Sequence, residues 1–203
     1  MRRTLISLLL STALTAPVLA DVPTLSGLPC APAPELGLSE RDTFRLEHLM
    51  TSRSRGLAAA LLSDSAADRA AVEAFYAAGL SPIATIPEGK YRCRTLKLGG
   101  ILPLTIYGWF DCDVRTISGE LRIEKLTGSQ RFSGTLTPST EGLTYVGALH
   151  YGDETPRPYD GASDRDQVGC LLKAFEDGTP FVLEMPFPTL ESFHDVILLE
   201  PAS

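Results

Sequence analysis

Apolar and polar residues alternate with period two from residue 83 to the end of the chain, in short runs separated by Gly, Pro, Asp and Ser. Such alternation is typical of half-buried β-strands bounded by turns. About eight antiparallel strands in sequence favour an up-and-down β-barrel, with a two-sheet β-sandwich as the alternative. Glycines within the strands favour the strong bends of a small barrel. The predicted strands are residues 90–98, 104–115, 119–125, 130–137, 143–151, 168–175, 181–185 and 193–200.

Helical spacing of apolar residues precedes the strands. A capping-box pattern at residues 39–42 begins the first predicted helix, which carries apolar residues as far as Leu61 and could break near Gly56. The pattern recurs at 65–68 for a second helix, which ends at Gly79. The sequence therefore predicts an α+β fold, in which two N-terminal helices are followed by an antiparallel β-barrel.

The N-terminus has the three parts of a secretory signal peptide. Arg2 and Arg3 precede an apolar run, and Ala20 supplies the small residue before the cleavage point. No later apolar stretch approaches the ~20 residues needed to span a bilayer. We therefore expect cleavage after Ala20 and a soluble exported protein, periplasmic or secreted. The predicted organisation is a signal peptide at 1–20, an extended lead-in at 21–38, a helical segment packed on the β-domain at 39–80 and an antiparallel β-domain at 83–203.

Two predicted strands form a hairpin in which Cys93 and Cys112 lie opposite each other. Cross-strand pairs of opposite charge are worth roughly 0.2–1 kcal/mol each, and a slip of one residue would place each arginine beside an apolar residue. Because each arginine faces a carboxylate, a structural role is favoured over an anion site. The charged pairs of this register are Arg92 with Asp113 and Arg94 with Asp111.

The chain has 4 cysteines, all of them after the predicted leader. An even number in an exported protein implies disulfides, with three possible connectivities. The hairpin pairs Cys93 with Cys112, which leaves Cys30 and Cys170 as the second pair. Zinc is the alternative, but no C-x-x-C spacing supports it, so no metal or cofactor is predicted.

The formal net charge is −7, and removal of the leader would make it more negative because only arginines are lost. An acidic exported domain is a poor candidate for binding nucleic acid or anionic membrane surfaces. The partner is therefore expected to be a protein or a small molecule of unknown identity.

Two groups of residues suggest catalysis or metal binding at first sight. Ser192, His194 and Asp195 have the composition of a triad, but alternation places Asp195 on the opposite face of the strand from His194, and no G-x-S-x-G motif is present. The acidic loop at 152–166 fails the EF-hand pattern at Ala162, so a solvated loop is favoured over a calcium site.

The turn at 127–131 and the loop at 152–166 hold the polar groups for which the strands provide no partner. In an up-and-down order both lie at the same end of the barrel, where β-domains commonly place their sites. We expect them to form one polar patch, with an ion pair between Arg131 and a loop carboxylate. Alternatively, these side chains only hold the loop to the barrel rim. The candidate binding residues are Ser129, Gln130, Arg131, Asp153, Glu154, Asp164 and Asp166.

Several short motifs of the β-domain carry a family resemblance. They are Tyr91-Arg92-Cys93-Arg94, Lys97-Leu98-Gly99, Cys112, Lys125 to Arg131, Gly152-Asp153-Glu154, Asp164-Arg165-Asp166 and Glu191-Ser192. In order and spacing they resemble an uncharacterised family of exported bacterial proteins, the domain of unknown function 4893. The likeness covers about residues 89–201, and the run KLTGSQR is its most specific piece. The resemblance implies secretion and a Cys93–Cys112 bridge, but it carries no known activity.

Two functional classes remain open. The first is a non-catalytic periplasmic binding or inhibitor-like module, in which the stapled β-domain presents loops or a barrel mouth to a partner. The second is a periplasmic hydrolase that uses acids of the 153–166 loop with a histidine. The first is favoured, because no nucleophile–base pair and no set of metal ligands can be assembled from the sequence.

Overall fold

The computed structural model describes residues 29–77, 79–174 and 180–202. The predicted signal peptide, residues 1–20, and the first part of the lead-in, residues 21–28, lie outside these ranges. Within them, no helix combines the length and the apolar character that crossing a membrane requires.

Eight antiparallel strands close into a barrel. Each strand pairs with its neighbours in sequence, and the last strand pairs with the first. The predicted barrel is therefore confirmed, and the alternative sandwich is not formed. The strands are β1 (Gly89–Leu98), β2 (Leu104–Ile117), β3 (Glu120–Lys125), β4 (Gln130–Ser139), β5 (Gly142–Tyr151), β6 (Asp166–Lys173), β7 (Phe181–Pro186) and β8 (His194–Pro201).

Alternate connections of an up-and-down barrel lie at the same end. The Ile101 N–H donates to the carbonyl oxygen of Glu191 at 3.0 Å, and the Gly152 N–H donates to that of Ser129 at 2.8 Å. The first bond joins the connections that follow β1 and β7, and the second joins those that follow β3 and β5. We call this end of the barrel the mouth, and it consists of residues 99–103, 126–129, 152–165 and 187–193.

Three α-helices pack against the outside of the barrel. Ser39 caps the first by accepting the Asp42 N–H at 3.2 Å, as the capping box predicts. The first predicted helix is divided at His48 and not near Gly56. Gly56 instead permits close packing, because a Cβ there would lie 2.8 Å from the Cβ of His194. After a 3-10 turn at Pro34–Leu36, the helices are α1 (Glu40–Glu47), α2 (Leu49–Ala60) and α3 (Ala66–Ala77).

The β1–β2 hairpin has a register two residues away from the predicted one. Cys93 pairs with Phe110 and Cys112 with Tyr91, so the cysteines lie diagonally on one face. Their Cα atoms are 5.8 Å apart, and the predicted disulfide between them is present. As far as Arg94 the shift of two residues keeps each side chain on its own face, so alternation alone does not distinguish the two registers there. A bulge between Arg94 and Leu96 then changes the phase of β2, so that Tyr107 lines the barrel interior and Ile106 packs outside.

The observed register makes the predicted Arg92–Asp113 and Arg94–Asp111 pairs wrong. Arg92 forms its ion pair with Glu200 on β8 at 2.7 Å. Arg94 donates to a backbone carbonyl oxygen of β2 at 2.6 Å. Arg92 therefore keeps a carboxylate partner, whereas Arg94 has none among the described residues.

Buried apolar side chains lie in two layers. All eight strands contribute to the layer inside the barrel, where Tyr145 is fully buried. A second layer, which includes Leu98 and Val182, lies between the helices and the outer faces of β1, β2, β7 and β8. The predicted Cys30–Cys170 disulfide is also present and attaches the segment before the helices to β6.

Candidate functional site

A cavity of about 120 Å³ lies inside the barrel at the mouth, and all eight strands contribute to its lining. Tyr107, which is 37 % exposed, marks its outer edge. At its inner end Phe132 packs edge-on against Tyr145, with ring centroids 6.0 Å apart, so the barrel is filled below the cavity. The apolar part of the lining consists of Phe110, Phe132, Leu149, Met185 and Ile197.

Three cationic side chains, Lys97, Lys125 and Arg131, also line this cavity. Lys97 and Lys125 occupy the inward-facing rows of β1 and β3, which deeper in the barrel carry Cys93 and Ile123. A lysine in such a row loses hydration, which disfavours its charged form unless a partner compensates.

Lys97 has carboxylate partners. Its Nζ lies 3.0 Å from Glu191 and 3.5 Å from Asp195, which pairs with it across β1 and β8. Burial alone would lower the pKa of Lys97, but the charges of Asp195 and Glu191 outweigh burial and raise that pKa. Burial also raises the pKa of the Asp195 carboxyl, against the opposing effects of Lys97 and of the Ser192 hydroxyl. Lys97 is therefore a compensated cation.

Lys125 has no such partner. The residue is 6 % exposed, its Nζ lies 3.9 Å from the centre of the Phe110 ring, and no carboxylate of the described residues forms an ion pair with it. Burial, followed by the positive charges of Lys97 and Arg131, lowers the pKa of Lys125 to about 8. An anion that enters the cavity would meet a positive charge that the protein does not compensate.

The turn between β3 and β4 shapes this side of the cavity. Gly128 has a φ of +90°, and a Cβ there would lie 2.8 Å from Phe110 Cε1 and 3.5 Å from Lys125 Nζ. Glycine suits both the left-handed backbone and the close approach. The Thr127 hydroxyl accepts a backbone N–H of β2 at 2.9 Å and anchors the turn. The run at 125–131 thus holds two of the three cations at the cavity.

A buried amide oxygen of the lining lacks a partner in the described part of the chain. Gln167 lines the cavity, and its Oε1 has no hydrogen-bond partner among the described residues. Buried polar atoms are normally hydrogen-bonded, so this atom marks a place where a donor group of a ligand would be accommodated. No cluster of His, Cys, Asp or Glu in the described part of the chain is suited to hold a metal ion.

The turn and the acidic loop predicted to share a site do lie together. Besides the Gly152–Ser129 backbone bond, a Cβ on Gly152 would lie 3.2 Å from Arg131 Nη2. Ser129, Gln130 and Arg131 all line the cavity. The expected ion pair of Arg131 with a loop carboxylate is not formed among the described residues, and its Nε instead donates to the carbonyl oxygen of Gly128 at 3.0 Å.

Three of the four predicted acids of the loop have other partners, and none of the four lines the cavity. Glu154 pairs with an arginine of its own loop at 2.6 Å, and Asp164 lies 3.5 Å from Arg41 of α1. Asp166 is buried and accepts a backbone N–H of the loop at 2.9 Å. Asp153 is exposed. Arg131, the one cation of the predicted patch, therefore belongs to the cavity, and the acids of the patch belong to the loop.

A second polar cluster lies outside the barrel, under α2 and α3. Glu184 accepts hydrogen bonds from Arg53 and, at 3.0 Å, from the Tyr76 hydroxyl, and it lies 3.1 Å from His194 Nε2. Ser52 Oγ lies 3.0 Å from His194 Nδ1. The order serine, histidine, carboxylate is that of a catalytic triad. However, Ser52, His194 and Glu184 are each 0 % exposed, so the cluster attaches α2 to β7 and β8 and has no route to a substrate.

Lys97, Lys125 and Asp195 are functional candidates that the sequence-based site does not include. Each occupies a position that strand alternation assigns to the barrel core. A charged residue in such a row contradicts the packing rule, and contradictions of this kind are expected at functional sites. Lys97 lies on the same face of β1 as Cys93, and Asp195 lies on the same face of β8 as Ile197.

Fold and cavity together define a closed eight-stranded β-barrel with a helical flank and a cationic cavity at its mouth. The chain belongs to the family described as Domain of unknown function (DUF4893), whose family model matches residues 37–199. That range includes the three helices and nearly all of the barrel. No curated protein and no solved structure matches the chain at a significant level.

Proposed function

We propose that this protein is a non-catalytic binding module that takes small organic carboxylates into the mouth of its barrel. The observation that carries the proposal is the buried, uncompensated ammonium of Lys125, which lies in a cavity shared with Lys97 and Arg131. Charge-assisted hydrogen bonds to a carboxylate are roughly twice as strong as neutral ones. A bound carboxylate would therefore supply the negative charge that the protein does not place beside Lys125.

The shape of the cavity supports a short ligand with an apolar end. An apolar cavity of about 150 Å³ accommodates benzene, so a volume of about 120 Å³ suits a carboxylate of about six non-hydrogen atoms. The apolar rings and side chains of Phe110, Phe132 and Leu149 line the part of the cavity that such a tail would fill. Ligand sites of this composition, mostly apolar with a few placed polar groups, are the usual kind.

We also propose that the protein is exported to an oxidising compartment, either periplasmic or extracellular. Its two disulfides support this proposal, because disulfides persist mainly in such compartments. N-terminal sequencing of the exported material would begin at Asp21, and a retained leader would contradict the proposal.

The alternative hydrolase has less support from the histidines. His194 is fully buried within the cluster under the helices. His150 is 2 % exposed, and its Nδ1 has no hydrogen-bond partner among the described residues. Neither imidazole therefore stands in the mouth cavity beside an acid of the 152–166 loop.

Calorimetric titration of the purified protein with butanoate, butan-1-ol and butylammonium would test the proposed function. We expect butanoate alone to bind at pH 7. Its affinity should fall as the pH rises through about 8, because Lys125 then loses its proton.

Lys125→Met keeps most of the length of the side chain and removes its charge, so it should weaken butanoate binding at least tenfold. Lys90→Met is the matched control, since Lys90 is exposed and belongs to the opposite end of β1. Equal affinity in the Lys125→Met variant, or equal binding of all three ligands, would contradict the proposal.

A further inference from the structure

We propose that Lys125 captures small 2-oxo carboxylates covalently, through an imine between its amine and the carbonyl carbon of the ligand. The inference rests on the proposed function, because recognition of the carboxylate places the adjacent carbonyl group in the cavity. It goes beyond that function, since it distinguishes a carbonyl compound from every other carboxylate of the same size.

The surroundings of Lys125 are those of a nucleophilic amine. A lysine becomes nucleophilic at neutral pH when it is desolvated in an apolar pocket or placed near other cations. Lys125 meets both conditions, because it packs on the Phe110 ring and feels the charges of Lys97 and Arg131. Its pKa of about 8 leaves a substantial neutral fraction at physiological pH. Lys97 differs, because Asp195 and Glu191 keep it protonated.

Arg131 and Lys125 have different roles in the proposed capture. Arg131 uses Nε for the carbonyl oxygen of Gly128, which leaves its two Nη groups to bind a carboxylate through paired hydrogen bonds. Lys125 lies on the same wall of the cavity, at the other end of the 125–131 turn. A 2-oxo carboxylate held by Arg131 carries its carbonyl carbon one bond away from the bound group. The buried Oε1 of Gln167 is available to a donor group formed during addition.

The reaction balances without any further reagent. The lone pair of the neutral Lys125 amine forms a bond to the carbonyl carbon, and the π electrons of the carbonyl move to its oxygen. Both hydrogens of the amine then leave with that oxygen as water, and a carbon–nitrogen double bond remains. No oxidant, reductant or metal takes part, and hydrolysis reverses the capture.

Reductive trapping would test the capture. The full-length protein would be incubated with 2-oxobutanoate and sodium cyanoborohydride at pH 7.5, and peptide mass mapping would locate the adduct. We expect one adduct per chain, at Lys125, in at least tenfold excess over the exposed Lys90. Butanoate in excess should suppress the adduct, because it competes for the same cavity without a carbonyl group.

Lys125→Arg separates covalent capture from binding. This variant keeps a cation in the cavity but has no primary amine, so it should form no trapped adduct, and an adduct at the natural yield in this variant would overturn the capture. Butanoate binding by the natural protein without an adduct at Lys125, or adducts spread over all lysines, would overturn the capture and leave the proposed function intact. Loss of butanoate binding by the natural protein itself would overturn both.

Discussion

The position of Lys125 favours ligand binding and does not favour the stability of the fold. Its side chain lies on the inward-facing side of β3, as that of Ile123 does deeper in the barrel. Its charge nevertheless has no carboxylate partner in the described chain. Desolvation of such a group costs free energy in the folded state. Stability sacrificed at one position is typical of sites under selection for function.

Replacement of Lys125 by methionine should therefore raise the free energy of unfolding by about 1 kcal/mol while it weakens ligand binding. Lys97→Met is the matched comparison, because it leaves Asp195 buried without its cation and should lower the free energy of unfolding by about 3 kcal/mol. Urea unfolding at pH 7 would measure both. A large loss of stability in the Lys125→Met variant would show that the lysine is a structural residue.

Glu184 should make the stability of the protein depend on pH below about 4.5. Although burial opposes it, hydrogen bonds and charges from His194 and Arg53 lower the pKa of this carboxyl from 4.5 to about 2. A lowered pKa in the folded state gives stability that is complete above the unfolded pKa and is lost as the pH falls from about 4.5 towards 2.

Glu184→Gln should cost about 3 kcal/mol at pH 7, and the difference from the natural protein should shrink at pH 3. Glu200→Gln is the control, because Glu200 and its partner Arg92 are both substantially exposed and such pairs contribute at most about 1 kcal/mol. Chemical unfolding at the two pH values would decide the matter. A pH-independent difference would exclude a protonation effect of Glu184.

At the scale of the elements, strand alternation predicts faces well and registers poorly. The strand positions and the pairing of Cys93 with Cys112 follow from the sequence, but the observed register differs by two residues. As far as Arg94 both registers place the same side chains inside, so apolar alternation does not choose between them. The bulge that follows moves Tyr107 to the inside and Ile106 to the outside, which alternation does not predict. The division of the first helix at His48 is likewise not predictable from the sequence pattern. Gly56 is the expected helix breaker, but in the structure it permits close packing against β8.

The two disulfides should differ in their contribution to stability. In the chain-entropy model a crosslink that closes a loop with a sequence separation of 19 contributes about 3 kcal/mol, and one with a separation of 140 contributes about 5 kcal/mol. We expect Cys30→Ser/Cys170→Ser to lower the free energy of unfolding by about 2 kcal/mol more than Cys93→Ser/Cys112→Ser. Equal losses in guanidinium unfolding would show that packing at the bridges outweighs the entropy of the unfolded chain.

At the scale of the whole molecule, closure of the barrel explains why the candidate site was only half predicted. The up-and-down order of strands is enough to bring the 126–129 turn beside the 152–165 loop, and the structure does so. The cavity depends on more than order. Lys97, Lys125 and Asp195 meet only because β8 returns to pair with β1 and encloses their rows. Charges that belong to three separate strands become neighbours through closure, which short-range patterns in the sequence do not describe.

The nesting of the two disulfides has a consequence for how the chain reaches its fold. In chain order the first cysteine is joined to the fourth and the second to the third. A chain oxidised strictly in the order of its synthesis would link Cys30 to Cys93 and Cys112 to Cys170, and neither link exists in the fold. The native pairs therefore require either that oxidation of Cys30 waits until β6 has been made, or that an early wrong bond is broken and remade by thiolate exchange.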